Sequence, residues 1–389
     1  MSNTCLLPVV IGGVLLLSAG ECSSQLAAGD RDTLVAIRKG WGNPRRLASW
    51  DPDSASDHCS WDGVMCSDGG GGGRVVTELS LSDMKLTWTL PAAMCDFVNL
   101  TRLDLSNTGL PGTFPGATLY RCSQLRFLDL ANNTLHGALP RDIGNLSPLR
   151  GEMSEDFGNL RNLTLLSLYM NNLTGTIPAS IGLLPKLSTI WLDNNNLFGE
   201  LPPELGKHSP LSSIGISNNN LSGPLPETLC ANGELYGIYA SNNNFSRNLP
   251  ANLGDCVLLQ ELVLDNNRFS GDFPEKIWLL PELEIVMIPN NNFTGVLPAV
   301  LSSNIQHIEM GNNMFSGSIP RTAISLRGFW AENNQLDGEL PADMSKLANL
   351  TDLSMPDNHI TGPIPASIKL LLNLNSLNLS GNQLTGPIP

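Results

Sequence analysis

Basic residues are scarce. Twenty-two Lys and Arg face 36 Asp and Glu, a formal net charge of -14, which argues against nucleic acid or an anionic membrane as partner and favours a neutral or basic ligand. Catalytic constellations are missing too. The five His are scattered, and there is no H-E-x-x-H, G-x-S-x-G, H-R-D or Gly-rich phosphate loop. Two look-alikes do not change this. Val35-Ala36-Ile37-Arg38 ends in Arg where a phosphotransfer strand needs Lys, and Asp156-Phe157-Gly158 falls in a repeat slot. Absent C-x-x-C pairs and His clusters disfavour zinc. No catalytic residue, cofactor or metal is therefore expected. Apart from an apolar run from Leu6 to Leu17, no stretch approaches the length of a membrane span.

What the chain has in abundance is repetition. From Val76 onward the template L-x-x-L-x-L-x-x-N-x-L-x-G-x-[I/L]-P returns about every 24 residues. A clean copy runs Leu187, Ile190, Leu192, Asn195, Leu197, Gly199, Leu201, Pro202. A fixed period of this size implies an α/β solenoid whose function lies on a surface. With the first Leu as slot one, slots four and six point inward from a short strand, and slots three, five, seven and eight face outward on the concave side. The slot-nine Asn is expected to bond backbone groups of adjacent coils as a buried ladder. Pro289 and Pro356, in slot seven, predict frayed pairing.

One copy is defective. At Leu149-Arg150 the chain runs directly into Gly151-Glu152-Met153, without the strand and the Asn turn. Fourteen residues cannot trace the usual circuit, so this copy merges with its predecessor: residues 141–160 bulge from the convex side, and the strands after 125 and 163 pair directly. Thirteen strands remain in the array 76–389, which stops at Pro389 partway through a repeat.

The N-terminus reads as a secretory signal over 1–23. Residues 30–73 form a cap with Trp50 and Trp61 over the first coil, and the Gly69–Gly73 run serves as a linker. Export places six cysteines in an oxidising compartment. Cys59 and Cys66 bracket one cap segment, while Cys95 with Cys122 and Cys230 with Cys256 occupy nearly equal slots of consecutive repeats, so stacking brings each pair within disulfide reach. Glycosylation sequons occur at Asn99, Asn132, Asn145, Asn162, Asn172, Asn220, Asn244, Asn292, Asn349 and Asn378.

The outward slots carry the functional information. They hold the acids Glu78, Asp83, Asp104, Asp129, Asp193, Glu261, Asp265, Glu309, Glu332, Asp352 and Asp357 against a single Arg102, a face that steers basic partners. Interleaved are Leu165, Tyr169, Trp191, Tyr239, Val263, Ile285, Met287 and Trp330. Trp191, Tyr239, Val263 and Met287 share one slot, with only Gly215 interrupting, and a row of exposed aromatic and aliphatic groups can anchor an extended peptide.

The cap pattern C-x-W-x-G-V-x-C, read from Cys59 to Cys66, and the G-x-[I/L]-P repeat resemble the plant-specific leucine-rich repeat class. Phe114-Pro115, L-C-A-N-G-E-L-Y at 229–236, L-G-D-C at 253–256, S-S-N-I-Q-H-I-E-M at 302–310 and F-W-A-E-N-N at 329–334 are similar to the ectodomain of HAESA-like receptor kinases, over residues 30–389. The resemblance implies a right-handed superhelix with a parallel concave sheet of about 13 strands and a convex side of short 3-10 turns and loops. It also implies a secreted peptide ligand on the concave face and a co-receptor kinase near the C-terminal repeats. A membrane helix and a cytoplasmic kinase would belong to a longer product. Some members clamp the peptide carboxylate with R-x-R; the corresponding slots here hold Glu261 and Val263, and the acid would repel it. The expected role is a non-catalytic extracellular receptor-like module, secreted to the apoplast, or at the plasma membrane if a longer product carries the anchor. The alternatives are a freestanding wall protein resembling polygalacturonase inhibitors and a fragment of a receptor serine/threonine kinase.

Overall fold

The computed structural model describes residues 4–11, 14–21, 29–69, 73–86, 88–140 and 157–389. Slots three to five of each coil form a three-residue strand whose middle residue is buried and whose flanks are half-buried, as in Thr189–Trp191 and Glu261–Val263. Thirteen such strands, from Arg74–Ser80 to Ser376–Asn378, stack in chain order as one parallel sheet. Register is kept slot against slot: Ile190 meets Ile214, Ile214 meets Ile238, and Ile238 meets Leu262. Because every coil places the same slots inward, the leucine layers merge into a continuous core.

The slot-nine Asn supplies the polar part of that core. Asn267 is buried; its Nδ2 donates to the carbonyls of Ala240 (2.9 Å), Leu264 (3.1 Å) and Asp265 (3.1 Å), and its Oδ1 accepts the Phe245 N–H at 3.0 Å. One side chain thus bonds its own turn and the preceding coil. The same pattern holds at Asn195, Asn219, Asn243, Asn291, Asn313, Asn334, Asn358 and Asn382. A backbone turned off a strand inside a core has no other partner for these groups.

The merged repeat closes directly. Phe127 pairs with Leu165 and Asp129 with Ser167, and Asn171 reaches across 41 residues to the Leu130 carbonyl at 3.0 Å. The expected bulge over 141–160 does not include its last four residues. Phe157 and Leu160 are fully buried, Phe157 ringed by Phe114 and Tyr120 at 5.2 and 5.4 Å, so 157–160 is an ordinary convex turn. The rest of the segment lies outside the described residues.

Three further expectations change. The convex side is more than 3-10 turns and loops: the N-x-L-x-G segments form a second parallel sheet of eight strands, from Pro111–Thr113 to Asn292–Thr294, followed by two two-stranded pairs. Gly69–Gly73 is no free linker, because it connects Val64–Asp68 to Arg74–Ser80 as an antiparallel hairpin that starts the main sheet, with Gly69 N–H bonded to Gly73 O at 2.7 Å. Pro289 and Pro356 fray nothing. In the sheet the slot-eight N–H donates to the slot-seven carbonyl of the next coil, as Asn266 does to Pro289 and Asn333 to Pro356, both at 3.0 Å. Elsewhere the slot-seven N–H points to a side chain, as Ser217 does to Asp193, so a proline there removes no ladder bond.

The cap covers the first coil. Helix Asp30–Gly40 buries Leu34 and Ile37, with Asp30 and Asp32 in its first turn and Arg38 and Lys39 in its last, complementing the helix dipole. Asp30 Oδ2 accepts the Val76 N–H at 2.6 Å, and Trp50 stacks on Trp61 at 6.4 Å. Disulfides join Cys59 to Cys66, Cys95 to Cys122 and Cys230 to Cys256, the latter two between consecutive coils with Cα separations of 4.8 and 5.9 Å. A row of Phe245, Phe269 and Phe293, each 5.8 Å from the next with nearly parallel, stacked rings, runs into the core from strands of the second sheet.

Two substitutions test this account. Asn267→Ala should lower unfolding free energy by about 2–3 kcal/mol in urea titration, since it strands buried backbone groups of two coils. Arg247 holds φ +71° where the neighbouring repeats place Gly223 and Gly271 at +79° and +76°. Arg247→Gly should therefore raise stability by about 0.5–1 kcal/mol despite the looser unfolded chain; a loss measured by the same titration would contradict the strain.

Candidate ligand-binding face

Strand register brings every anticipated concave residue onto one face. Leu165, Tyr169, Trp191, Asp193, Tyr239, Glu261, Val263, Asp265, Ile285, Met287, Glu309, Trp330 and Glu332 are all half-buried there, packed on their neighbours while presenting an edge to solvent. Slot five aligns Trp191, Gly215, Tyr239, Val263 and Met287 as successive partners. Slot eight departs from the expectation. Its residues adopt the left-handed conformation, among them Asn194, Asn218, Asn242 and Asn266 and also Asp83 and Asp357, so those two acids sit in the turn bordering the sheet.

The face divides into two aromatic clusters with an acidic centre. Toward the N-terminal half, Tyr169 and Trp191 meet edge to face, 6.4 Å apart at 74°. Together with Tyr239, Asp193 and Gly215 they border a hollow of about 400 Å³. Toward the C-terminal half, Trp330 lies across Gly328, where even a Cβ would stand 2.1 Å from the ring, and stacks on His307 at 6.1 Å and 6°. Glu261 and Asp265 lie between the clusters, while Glu309 shares a strand with His307 and Glu332 a coil with Trp330. Ser241 Oγ and Asn266 Nδ2 both donate to Asp265.

Burial and mutual repulsion shape the electrostatics. Burial pushes the carboxyls of Asp129 and Asp193 above the ordinary range, against the hydrogen bonds each accepts. Glu309 is raised by burial and then by the charges of Asp265 and Glu332, with His307 opposing. Burial and a bond to Glu261 push the Tyr239 phenol up, so it remains a protonated donor. Arg102 is already engaged: its Nη2 lies 3.3 Å from Asp104, and the guanidinium sits over the Phe127 ring at 3.5 Å.

Met170, Asn194 and Asn218 also line the hollow, and none stood out beforehand, whereas Gly215 was noted only as an interruption of the row. Met170 could have been found, because it replaces the usual slot-eight Asn and is 48% exposed at φ +54°. Sequons Asn172, Asn220, Asn244 and Asn292 open strands of the second sheet. Asn99, Asn162 and Asn349 directly precede main-sheet repeats, Asn132 lies in a slot-eight turn, Asn378 ends the last strand, and Asn145 lies outside the described residues. No helix among the described residues is long and apolar enough to cross a membrane. The one grouping with metal-ligand reach among them is His58 with Cys59 and Cys66, whose sulfurs are already spent in a disulfide.

Comparison with known proteins agrees with this architecture. The leucine rich repeat N-terminal domain matches residues 27–67, and the Leucine Rich Repeat matches 124–146, 162–184, 186–208, 210–232, 258–280 and 373–389. The chain folds as a leucine-rich repeat solenoid. This leucine-rich repeat chain is 34% identical over 143 residues to the LRR receptor-like serine/threonine-protein kinase GSO2 of Arabidopsis thaliana, covering 35% of this chain and 11% of the kinase. It is also 34% identical over 118 residues to Polygalacturonase inhibitor 2 of the same plant, covering 30% of this chain and 34% of the inhibitor. Its fold superposes on PEPR1 in the PEPR1-AtPEP1 structure with a TM-score of 0.76 and 27% identity, over 92% of this chain and 49% of that one. The HAESA ectodomain, solved with the peptide hormone IDA and the co-receptor SERK1, gives 0.53 at 24% identity over 92% and 91% of the two chains, a likeness of fold. The chain thus resembles plant leucine-rich repeat receptor-kinase ectodomains, spanning about half of PEPR1 and a small part of GSO2. The described residues build a repeat array and its cap, and no kinase fold is among them.

The raised carboxyls set a pH dependence. Asp129, Asp193 and Glu309 bind protons more tightly folded than unfolded, so folding gains stability as pH falls from neutral through their folded pKa values and levels off below the ordinary values of 3.8 and 4.5. Relief of the net charge of -14 acts in the same direction. Asp57, Glu204 and Asp343 shift downward but are fully exposed, so their opposing effect is small. The melting temperature should be higher at about pH 5 than at about pH 7.5, and Asp193→Asn should reduce that difference.

Proposed function

We propose that this chain is a receptor-type recognition module that binds a small secreted peptide along its concave face and catalyses nothing itself. The observation that carries the reading is the outward row from Tyr169 to Trp330, in which half-buried rings and aliphatic groups alternate with carboxylates on an open parallel sheet. Such a surface offers apolar anchors and a negative field to an extended ligand, and it has no enclosed reaction space. Peptide complexes of similar ectodomains support the same direction, PEPR1 with AtPEP1 among them.

On this reading the first residues direct export, and the sequons along the second sheet carry glycans on the side away from the ligand. The chain then works outside the cell, or at the plasma membrane where a longer product supplies a membrane anchor and a serine/threonine kinase. A co-receptor kinase would dock near the C-terminal repeats; HAESA itself has been solved together with the co-receptor SERK1. A second reading, a defence protein that binds a wall-degrading enzyme, is favoured by the alignment with Polygalacturonase inhibitor 2.

The test is selection from a displayed library of extended peptides, followed by calorimetry. Basic peptides should be enriched, and Trp191→Ala with Tyr239→Ala should weaken the selected peptide by about tenfold or more while leaving the melting temperature nearly unchanged. Unchanged affinity would remove the ligand from this face. Tight binding of a polygalacturonase with no peptide selected would favour the second reading.

A further inference from the structure

The hollow on the concave face has a more particular chemistry than the surface around it. Trp191, Gly215 and Tyr239 are direct partners on three successive strands. The two rings are therefore two strand spacings apart, about 9–10 Å between backbones. A planar group lying between two aromatic faces needs about 7–8 Å. Gly215 has no side chain to occupy that gap, and the backbone beneath is buried. Tyr239 leans back over Gly237, its ring 2.9 Å from where a Cβ would stand, and not over Gly215. Tyr169, edge-on to Trp191, bounds the near side.

At the floor stands one acid. Asp193 Oδ1 accepts the Ser217 N–H at 2.8 Å, which orients the carboxylate. Its Oδ2 overhangs Gly215: a Cβ at 215 would lie 2.4 Å from that oxygen and 3.1 Å from Trp191 Cδ1. The Asp193 carboxylate and the Trp191 indole edge therefore close over Gly215, and a group entering the hollow beside them meets both. Among the described residues no Lys, Arg or His forms an ion pair with Asp193. Aromatic rings around a cation and a carboxylate against it are complementary contacts, and the planar guanidinium, which stacks and also donates in a fork, fits them better than a compact ammonium. The volume of about 400 Å³ also admits the stem and the local backbone that carry the group.

We infer that the hollow bounded by Tyr169, Trp191, Gly215 and Tyr239 over Asp193 is a specificity subsite for the guanidinium of an arginine side chain on the ligand. This rests on the peptide-binding reading for its biological source but not for its chemistry, and the two fail separately. The probes are N-acetyl-argininamide and its neutral isostere N-acetyl-citrullinamide, titrated against the intact chain by saturation-transfer NMR. The arginine probe should bind and the citrulline probe should bind about tenfold more weakly, because only the first carries the charge. Asp193→Asn should reduce arginine binding to the citrulline level. Gly215→Val, whose Cβ would stand 2.4 Å from Asp193 Oδ2 and so must displace the carboxylate as it enters the hollow, should abolish binding of both probes.

Equal binding of the two probes by the unmodified chain would overturn the inference with no variant needed. So would arginine binding unaffected by both substitutions. If library-selected peptides bind the face but their arginine-to-citrulline versions bind equally well, the subsite is wrong and the peptide reading stands. If the arginine probe fills the hollow but no peptide is selected, the subsite stands and the peptide reading falls.

Discussion

Each coil can be stacked on the last only because a side-chain amide completes the backbone hydrogen bonds that the turn leaves open. Where the chain leaves the concave strand, carbonyls and an N–H of two neighbouring coils point into a core filled with leucine, and water cannot reach them. Asn has two donors and a carbonyl oxygen on one short stem, which matches that need. Asn267 shows the full set, bonding Ala240, Leu264, Asp265 and Phe245. Because the amide must reach the same atoms in every coil, register cannot drift. That constraint aligns slot five with slot five along the whole face, and it survives the merged repeat, where Asn171 finds Leu130 as if nothing intervened.

A face built this way is read by what stands in its outward slots, and small residues matter as much as large ones. Gly328 allows Trp330 to lie flat, and Gly215 opens a gap between rings that would otherwise form a closed row. The carboxylates pay for their positions: Asp193 and Glu309 are held where burial disfavours their charge, a cost that a basic ligand would relieve. An open sheet with apolar anchors and unneutralised acids is suited to holding an extended cationic chain.

Much of this was legible from the period alone. Thirteen parallel strands, the inward slots, the Asn ladder, the cysteine pairs between coils and the direct pairing of the strands after 125 and 163 all follow from assigning each residue a slot. Other features were hidden for physical reasons. The second sheet is made by backbone bonds between N-x-L-x-G segments, which already carry a turn signature, so nothing in the side chains marks them as strands. Pro289 and Pro356 looked damaging because the slot-seven N–H was taken as a ladder donor, when it bonds side chains instead. The Gly69–Gly73 run looked like a linker because its role depends on Val64–Asp68 and Arg74–Ser80 coming side by side.

Residue order alone therefore settles which side chains enter the core and which share the concave face, since a repeat of near-constant length places equivalent atoms at equivalent heights. It does not settle how those side chains lean once there. Tyr239 over Gly237, Trp330 over Gly328 and the Asp193 carboxylate over Gly215 are packing choices between neighbouring strands, decided by which adjacent position lacks a side chain. The hollow is the sum of such choices. An interruption in a row of aromatics became, in three dimensions, part of the lining of a hollow on that row.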